Sequence, residues 1–348
     1  MPSPAFSAAR TAAPALQSLP QHVPLVAAVR DGLVESIHYG SAVALAPDGT
    51  TQATAGDPDA PFYPRSSLKP LQAVAMVRAG LDIPADLLAL AAASHSGAEQ
   101  HRDGALRILE LHGLSVTALE NSTDLPYGAR EREEWLRGGG STTQLTQNCS
   151  GKHAAMAATC VINGWPVQGY LRPDHPLQQL VRDTVTELTH EEPAAVSTDG
   201  CGTPLFALTL HGMARAFARI ARAAALGRDD DRGTVLNTSS PEAAVGLAMQ
   251  QHPDMVAGEG RDVTALMRLL PGAVAKDGFE GVQLVGLADG SAVAVKISDG
   301  GDRARMPATV RLLESLGVDS AGLASIATVP VLGGGHQVGL LQATDFLK

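Results

Sequence analysis

The order of apolar and polar positions divides the chain into a β beginning, a helical middle and a β end. Val23 to Val29 is an apolar, partly β-branched run. A longer stretch from Ser36 to Ala46 reaches Asp48-Gly49, the dipeptide favoured at tight hairpin turns, and continues to Ala55. A proline-bounded loop follows, Pro61-Phe62-Tyr63-Pro64. Helical spacing and capping signals then predict helices over Leu68–Ala79, Pro84–Ala93, Gln100–His112, Ala154–Val161, Leu177–Leu188, Leu205–Ala225, Pro241–Gln250 and Val263–Leu270. A second hairpin is expected from Val282–Leu287, Asp289-Gly290 and Ala292–Ile297. A helix over Pro307–Leu316 and an apolar segment at Val338–Leu341 close the pattern.

Strands at both ends with helices between them predict a mixed α/β fold of the α+β type. Its antiparallel sheet is built from N- and C-terminal strands, flanked by helices, with a mostly helical inserted lobe. The expected division is a flexible extension over 1–22 and one catalytic domain over 23–348. Within that domain the sheet lobe takes about 23–80 and 265–348, the helical lobe about 81–264, and a cleft lies where they meet.

Composition narrows the function. The 348 residues are 45% hydrophobic and 18% charged, which excludes disorder for the bulk of the chain. Aromatics at 3% and a net charge of -10 argue against nucleic acid, whose backbone demands a basic surface. No run of about 18 apolar residues predicts a membrane span. The first 22 residues, rich in proline and small residues, do not have the form of a secretory signal. Three cysteines, Cys149, Cys160 and Cys201, do not make a disulfide framework and suit a reducing, cytoplasmic compartment.

Arg65-Ser66-Ser67-Leu68-Lys69 opens an apolar helix. Residues three apart lie roughly 60° apart around a helix, so Ser66 and Lys69 share a face one turn apart. A serine hydroxyl becomes a nucleophile when a neighbouring base takes its proton, and a neutral lysine can do so. The ordinary alternative is a capped helix with an exposed lysine, with Ser67 as an equally good cap. Lys276-Asp277-Gly278, before the second hairpin, offers a second cation that would favour neutral Lys69, or merely a turn lysine. Ser94-His95-Ser96 offers a hydroxyl relay, or a cap for the next helix. His95 could replace Lys69 as base, but no orienting carboxylate is recognisable.

Cys149 lies in Asn148-Cys149-Ser150-Gly151-Lys152-His153 and Cys201 in Thr198-Asp199-Gly200-Cys201-Gly202, both sharp-turning polar segments. They can be zinc ligands, Cys149 can be a nucleophile beside Lys152 and His153, or both can be structural. Cys160, inside an apolar helix, reads as packing.

Taken with Met255-Val256-Ala257-Gly258-Glu259-Gly260-Arg261, these segments in this order resemble the rhizobial-type L-asparaginase family over roughly residues 23 to 340. The resemblance implies a serine β-lactamase/glutaminase-like fold and two pairs, Ser66 with Lys69 and Ser94 with Lys276. It also implies zinc held by Cys149, Lys152 and Cys201 beside the substrate, and Arg65, His153, Asp199 and Gly200 near bound L-asparagine. A homodimer is implied as well. Some family members carry a cysteine where this chain has Val263, so no third thiol is expected at the site. The expected activity is hydrolysis of L-asparagine to aspartate and ammonia through a Ser66 acyl-enzyme. A serine-dependent glutaminase, a β-lactamase or penicillin-binding-like acylase, and a non-catalytic amino-acid-binding protein are the alternatives.

Overall fold

The structure, a computed structural model, describes residues 19–227 and 240–347. Most of the expected extension over 1–22 lies outside the described residues. The first hairpin forms much as its pattern predicts, with β1 (Val23–Arg30), β2 (Leu33–Leu45) and β3 (Thr51–Ala55). Gly49 closes the β2–β3 turn at a φ of 83°, a region that favours glycine, while the Asp48 carboxylate accepts from the Thr50 amide at 2.9 Å.

A short 3₁₀ turn over Arg65–Leu68 then leads into α1 (Lys69–Arg78). α2 (Ala85–Ala91), α3 (Glu99–Leu111), α4 (Ala129–Arg137), α5 (Ser150–Ile162) and α6 (Pro176–Thr189) follow. A small hairpin, β4 (Ala195–Thr198) with β5 (Pro204–Ala207), interrupts the helical block. Beyond it come α7 (Leu210–Gly227), α8 (Pro241–Gln251), α9 (Pro253–Val256) and α10 (Asp262–Leu269). The chain returns to the sheet through β6 (Val274–Gly278), β7 (Val282–Gly286) and β8 (Ala292–Ile297). It ends with α11 (Arg305–Ser315), α12 (Ala324–Ala327), β9 (Val329–Gly333) and β10 (His336–Ala343).

The main sheet is antiparallel throughout, in the order β6-β7-β8-β2-β1-β10-β9, with β3 also paired to β2. Terminal strands therefore do combine into one sheet, as the pattern predicts. Every residue of β7 is buried, because α7 and α11 both pack on this part of the sheet. Gln283 within β7 is buried as well, its side-chain oxygen accepting from Arg305 of α11 at 2.7 Å. α1 and α5 are covered in the same way. Lys69 to Met76 and Ser150 to Cys160 are all buried, so these two helices are enclosed on every side. One cluster of buried apolar residues runs from Leu25 to Phe346 through both sheet and helices. No helix among the described residues is long and apolar enough to cross a membrane.

Two expectations need correction. The helix predicted from Leu205 starts only at Leu210, because Pro204–Ala207 pairs with Ala195–Thr198 as a strand. A four-residue apolar run carries no usable period, and here a cross-strand partner decides its state. α4 has no counterpart in the expected elements, since Ala129–Arg137 is polar on most sides and only Glu131 within it is buried.

The start of α1, the start of α5, the β4–β5 turn and the end strand β6 meet at one place. Gly278 makes the closest of these approaches possible: a Cβ there would lie 2.3 Å from the Pro64 carbonyl oxygen, at the turn leading to Ser66. Gly278→Ala should therefore push β6 away from that turn and cost about 1–3 kcal/mol of stability. Denaturant unfolding with an unchanged midpoint would contradict this account of the contact.

Candidate active site

Ser66 sits in the 3₁₀ turn, where the Lys69 amide donates to the Ser66 carbonyl. In 3₁₀ geometry side chains three apart nearly eclipse, so this turn aligns Ser66 and Lys69 more closely than the expected α-helical spacing. The two neighbouring serines part company. Ser67 is buried and its hydroxyl donates to the Pro64 carbonyl at 2.8 Å, whereas Ser66 is half-buried and lines a cleft of about 200 Å³. Arg65 precedes them in a left-handed conformation, φ 53°, a cost of roughly 1–3 kcal/mol for a residue other than glycine. Its guanidinium donates to Asp199 at 2.7 Å and lies 5.2 Å from the Phe279 ring centre.

Lys69 is 2% exposed, and its amine donates to the Ser94 hydroxyl at 2.8 Å. Burial lowers its pKa from 10.5, with Lys152 adding to the effect and Cys149 and Cys201 opposing it. Lys276, on β6, is fully buried too. Its amine donates to the Asp277 carboxylate and, at 2.9 Å, to the Asp277 carbonyl. Burial brings it down to about 8 despite that carboxylate, and Lys69 pushes in the same direction. Burial opposes the charge on Asp277, but Lys276, Arg261 and Arg305 hold it far below the usual carboxylate range. The structure thus bonds Ser94 to Lys69 and Lys276 to Asp277, rather than Ser94 to Lys276. His95 bonds neither Ser66 nor Lys69: it contacts Ser150 at 3.0 Å and stacks on His101, and burial chiefly pushes its pKa well below the usual value.

Cys149, at the start of α5, and Cys201, in the β4–β5 turn, come together with His153, their donor atoms all within 4.8 Å of one another. Lys152 joins them, 3.2 Å from the Cys201 sulfur and 3.1 Å from the Thr203 hydroxyl. The surroundings of the two thiols push their acidities in opposite directions. A hydrogen bond from Cys149 lowers the Cys201 pKa well below its usual value, with Lys152 and His153 assisting, while burial raises that of Cys149. For Lys152 burial opposes the charge, but the two sulfurs carry its pKa upward. His153 is pushed down to about 4, chiefly by burial. Its Nδ1 meets the Tyr170 hydroxyl at 2.8 Å, and its Nε2 is buried with no partner among the described residues. Two sulfurs, an imidazole nitrogen and an amine form a donor set suited to zinc, and the unpartnered Nε2 is a free ligand atom. Cys160 lies apart in the α5 interior, its thiol pushed up to about 12 by burial.

All the expected residues on the polar side of this region therefore converge, and Asp199, Gly200 and Cys201 join Ser66 and Lys69 in lining the cleft. A larger cavity of about 470 Å³ shares Arg65 with it but contains neither Ser66 nor Lys69. Tyr127, Phe279, Gln147 and Ser122 also line the cleft and were not singled out in the sequence, where they stand in no distinctive segment. Asp277 and Arg261 were present only as members of quoted motifs, without a role.

Residues 26–343 match the sequence family described as L-asparaginase II. The chain belongs to that family. Amide hydrolysis of a small molecule is accordingly its class of activity. No curated protein matches the chain in sequence. Among solved structures it is similar to a candidate β-lactamase from Bacteroides dorei, at 15% identity and a TM-score of 0.42, covering 79% of this chain and 93% of that one. A β-lactamase from Mycobacterium bovis gives 16% and 0.41, with 83% and 95% covered. A glutaminase from Bacillus subtilis, solved as a covalent complex with 5-oxo-L-norleucine, gives 15% and 0.34, with 83% and 88% covered.

The different surroundings of Ser66 and Ser67 are separable by experiment. Ser67→Ala removes a buried hydroxyl that bonds the Pro64 carbonyl and should cost about 0.5–1.5 kcal/mol, whereas Ser66→Ala should stay within about 0.5 kcal/mol of the parent. Equal losses in chemical denaturation would mean that the two side chains are not distinguished as described.

Proposed function

We propose that this family member is an L-asparaginase in which Ser66 attacks the side-chain amide carbon of L-asparagine and neutral Lys69 takes its proton. The observation that carries the reading is Lys69: a buried amine at the wall of the cleft, one 3₁₀ turn from a cleft-lining hydroxyl, with a neutral acceptor in Ser94. Burial of that kind favours the free base that a proton abstraction requires.

The Ser94 hydroxyl gives the proton a route onward. Lys69 passes the proton taken from Ser66 to Ser94, whose own proton goes to the departing nitrogen as the carbon–nitrogen bond breaks. Ammonia leaves and the aspartyl group remains as an ester on Ser66. Water then cleaves the ester, with Lys69 receiving its proton and Ser66 recovering its hydroxyl. Lys276, charged and bound to Asp277, stands as a second cation that disfavours a proton on Lys69. Arg65 and Asp199, paired across the cleft, provide a guanidinium for the substrate's α-carboxylate and a carboxylate for its α-ammonium. A cleft of about 200 Å³ is small beside the ~300–1,000 Å³ of pockets for drug-sized ligands, which favours a single amino acid.

Cys149, Lys152 and Cys201 would hold zinc, with His153 Nε2 as a further candidate ligand. The metal would supply a fixed positive charge beside the cleft to orient the substrate, and its lysine ligand would have to be neutral.

Activity, acylation, pH dependence and metal content test this reading. Ammonia release from L-asparagine should vanish in Ser66→Ala, and the parent enzyme treated with an acylating asparagine analogue should carry the added mass on the Ser66 peptide. Retained turnover in Ser66→Ala would sink the proposal. The direction of the Lys69 shift sets the pH dependence: a base that must be neutral fails as pH falls through its pKa, so kcat/KM should drop on the acid side with a midpoint below 10.5. A limb at or above that value would assign the base elsewhere. Elemental analysis of protein purified without added metal should find about one zinc per chain, reduced in Cys149→Ala. Metal-free protein with full activity would leave the sulfur cluster a structural role. Glutamine, one methylene longer, is expected to be disfavoured by only about 1–3 kcal/mol, and parallel ammonia assays measure that directly.

A further inference from the structure

The segment Met255 to Arg261 holds no group that touches the cleft, yet it meets the buried serine and lysine of the second pair from two sides. Its main chain fixes the Ser94 loop: the Ser94 amide donates to the Val256 carbonyl at 3.0 Å and the Ser96 amide to the Ala257 carbonyl at 2.7 Å. Its last side chain fixes Lys276. The Arg261 guanidinium donates to the outer oxygen of Asp277 at 2.8 Å, and the inner oxygen of the same carboxylate receives the Lys276 amine. Arg261 in turn lies 4.7 Å from the ring centre of Tyr127, which lines the cleft.

We propose that Arg261 is a positioning residue for leaving-group protonation, holding Asp277 so that Lys276 stays in place beside Lys69 while the same segment holds Ser94. The proposal rests on the asparaginase reading above and specifies which step this segment serves. A carboxylate that bonds one amine has two soft side-chain torsions, and a guanidinium on its other oxygen removes that freedom. Without Arg261 the Asp277–Lys276 pair loses its fixed orientation. The groups that face Lys276 are Asp277 on its own strand, Lys69 on α1 and Arg261 ahead of α10, with Arg305 of α11 acting on Asp277. Misplacing Lys276 removes the cation that disfavours a proton on Lys69, so less free base is present for the attack by Ser66. Lys69 also hands its proton less readily through Ser94 to the departing nitrogen, a second loss that only the amide suffers.

The test is a leaving-group comparison. Departing ammonia needs a proton, whereas the phenolate of a β-aryl ester of L-aspartate leaves without one. Arg261→Gln should lower kcat/KM for L-asparagine by about 100-fold, the size expected for lost general-acid assistance, and lower it for the aryl ester by no more than about 10-fold, since the ester shares only the attack step. Asp277→Asn should show the same split, and Arg261→Lys should restore part of the amide rate. Circular dichroism melting checks that each variant is folded. A parallel fall for both substrates, or no fall for the amide, would overturn the positioning role while leaving the function proposed for Ser66 standing. If the parent enzyme hydrolyses neither substrate, the asparaginase reading fails and this proposal fails with it.

Discussion

An ammonium ion cannot be enclosed in apolar packing without an anion or a large loss of free energy, and Lys69 is enclosed with only a neutral hydroxyl as acceptor. Much of the surrounding architecture answers that constraint. The one carboxylate bonded to a buried lysine amine among the described residues, Asp277, bonds Lys276 instead, which leaves Lys69 without a carboxylate partner. α1, which begins at Lys69, is buried from Lys69 to Met76 and packs against α2, α5, α6 and α8, which leaves the amine little exposure except at the cleft wall. Proton affinity in the site is thus arranged by packing and by the placement of one carboxylate.

The parts of the fold legible in the sequence are those with a local signal. Asp48-Gly49 and Asp289-Gly290 announce the two hairpins, and the prolines and glycines around Ala85–Ala91 and Glu99–Leu111 bound their helices to within a residue or two. The β4–β5 hairpin was not legible, because Leu205-Phe206-Ala207 fits either period and its state depends on Val196 and its neighbours ten residues away. The site divides similarly. Ser66, Lys69, Cys149 and Cys201 stand in recognisable segments and do meet in space. The Lys69–Ser94 bond could not be read from spacing: 25 residues separate the two, and a third segment, through Val256, fixes the loop that carries Ser94. Arg261 was visible only as the end of a glycine-rich motif, since nothing local indicates that its partner is Asp277.

The sulfur cluster shows the same dependence on tertiary placement. Two thiols in contact within a buried site cannot both ionise without strong mutual repulsion. Their surroundings favour a thiolate at Cys201, which receives the Lys152 amine at 3.2 Å, while burial pushes the Cys149 thiol up and its S–H donates to the Gln147 side-chain oxygen at 2.7 Å. His153, expected beside the substrate, also faces these sulfurs. Its position follows from α5, where the i and i+4 relation to Cys149 puts both on one face of the helix. Tyr170 then fixes the ring through Nδ1, leaving Nε2 as the atom directed to the cluster.

Several features of this site are unfavourable taken singly: a left-handed arginine, three buried lysines, a buried carboxylate and an imidazole nitrogen with no partner among the described residues. They persist because each is held by elements that are themselves fixed by the core. Arg65 is tied to Asp199 across the cleft, and the turn that carries it is pressed against Gly278 at the end of β6. β6 also carries Lys276, so the strand that braces the nucleophile's turn is the one that delivers the second cation. Displacing it would disturb both at once. That shared support argues that loss of packing at β6 reaches the chemistry through geometry as well as through stability, and that the two losses should be separable by rate measurements on folded protein.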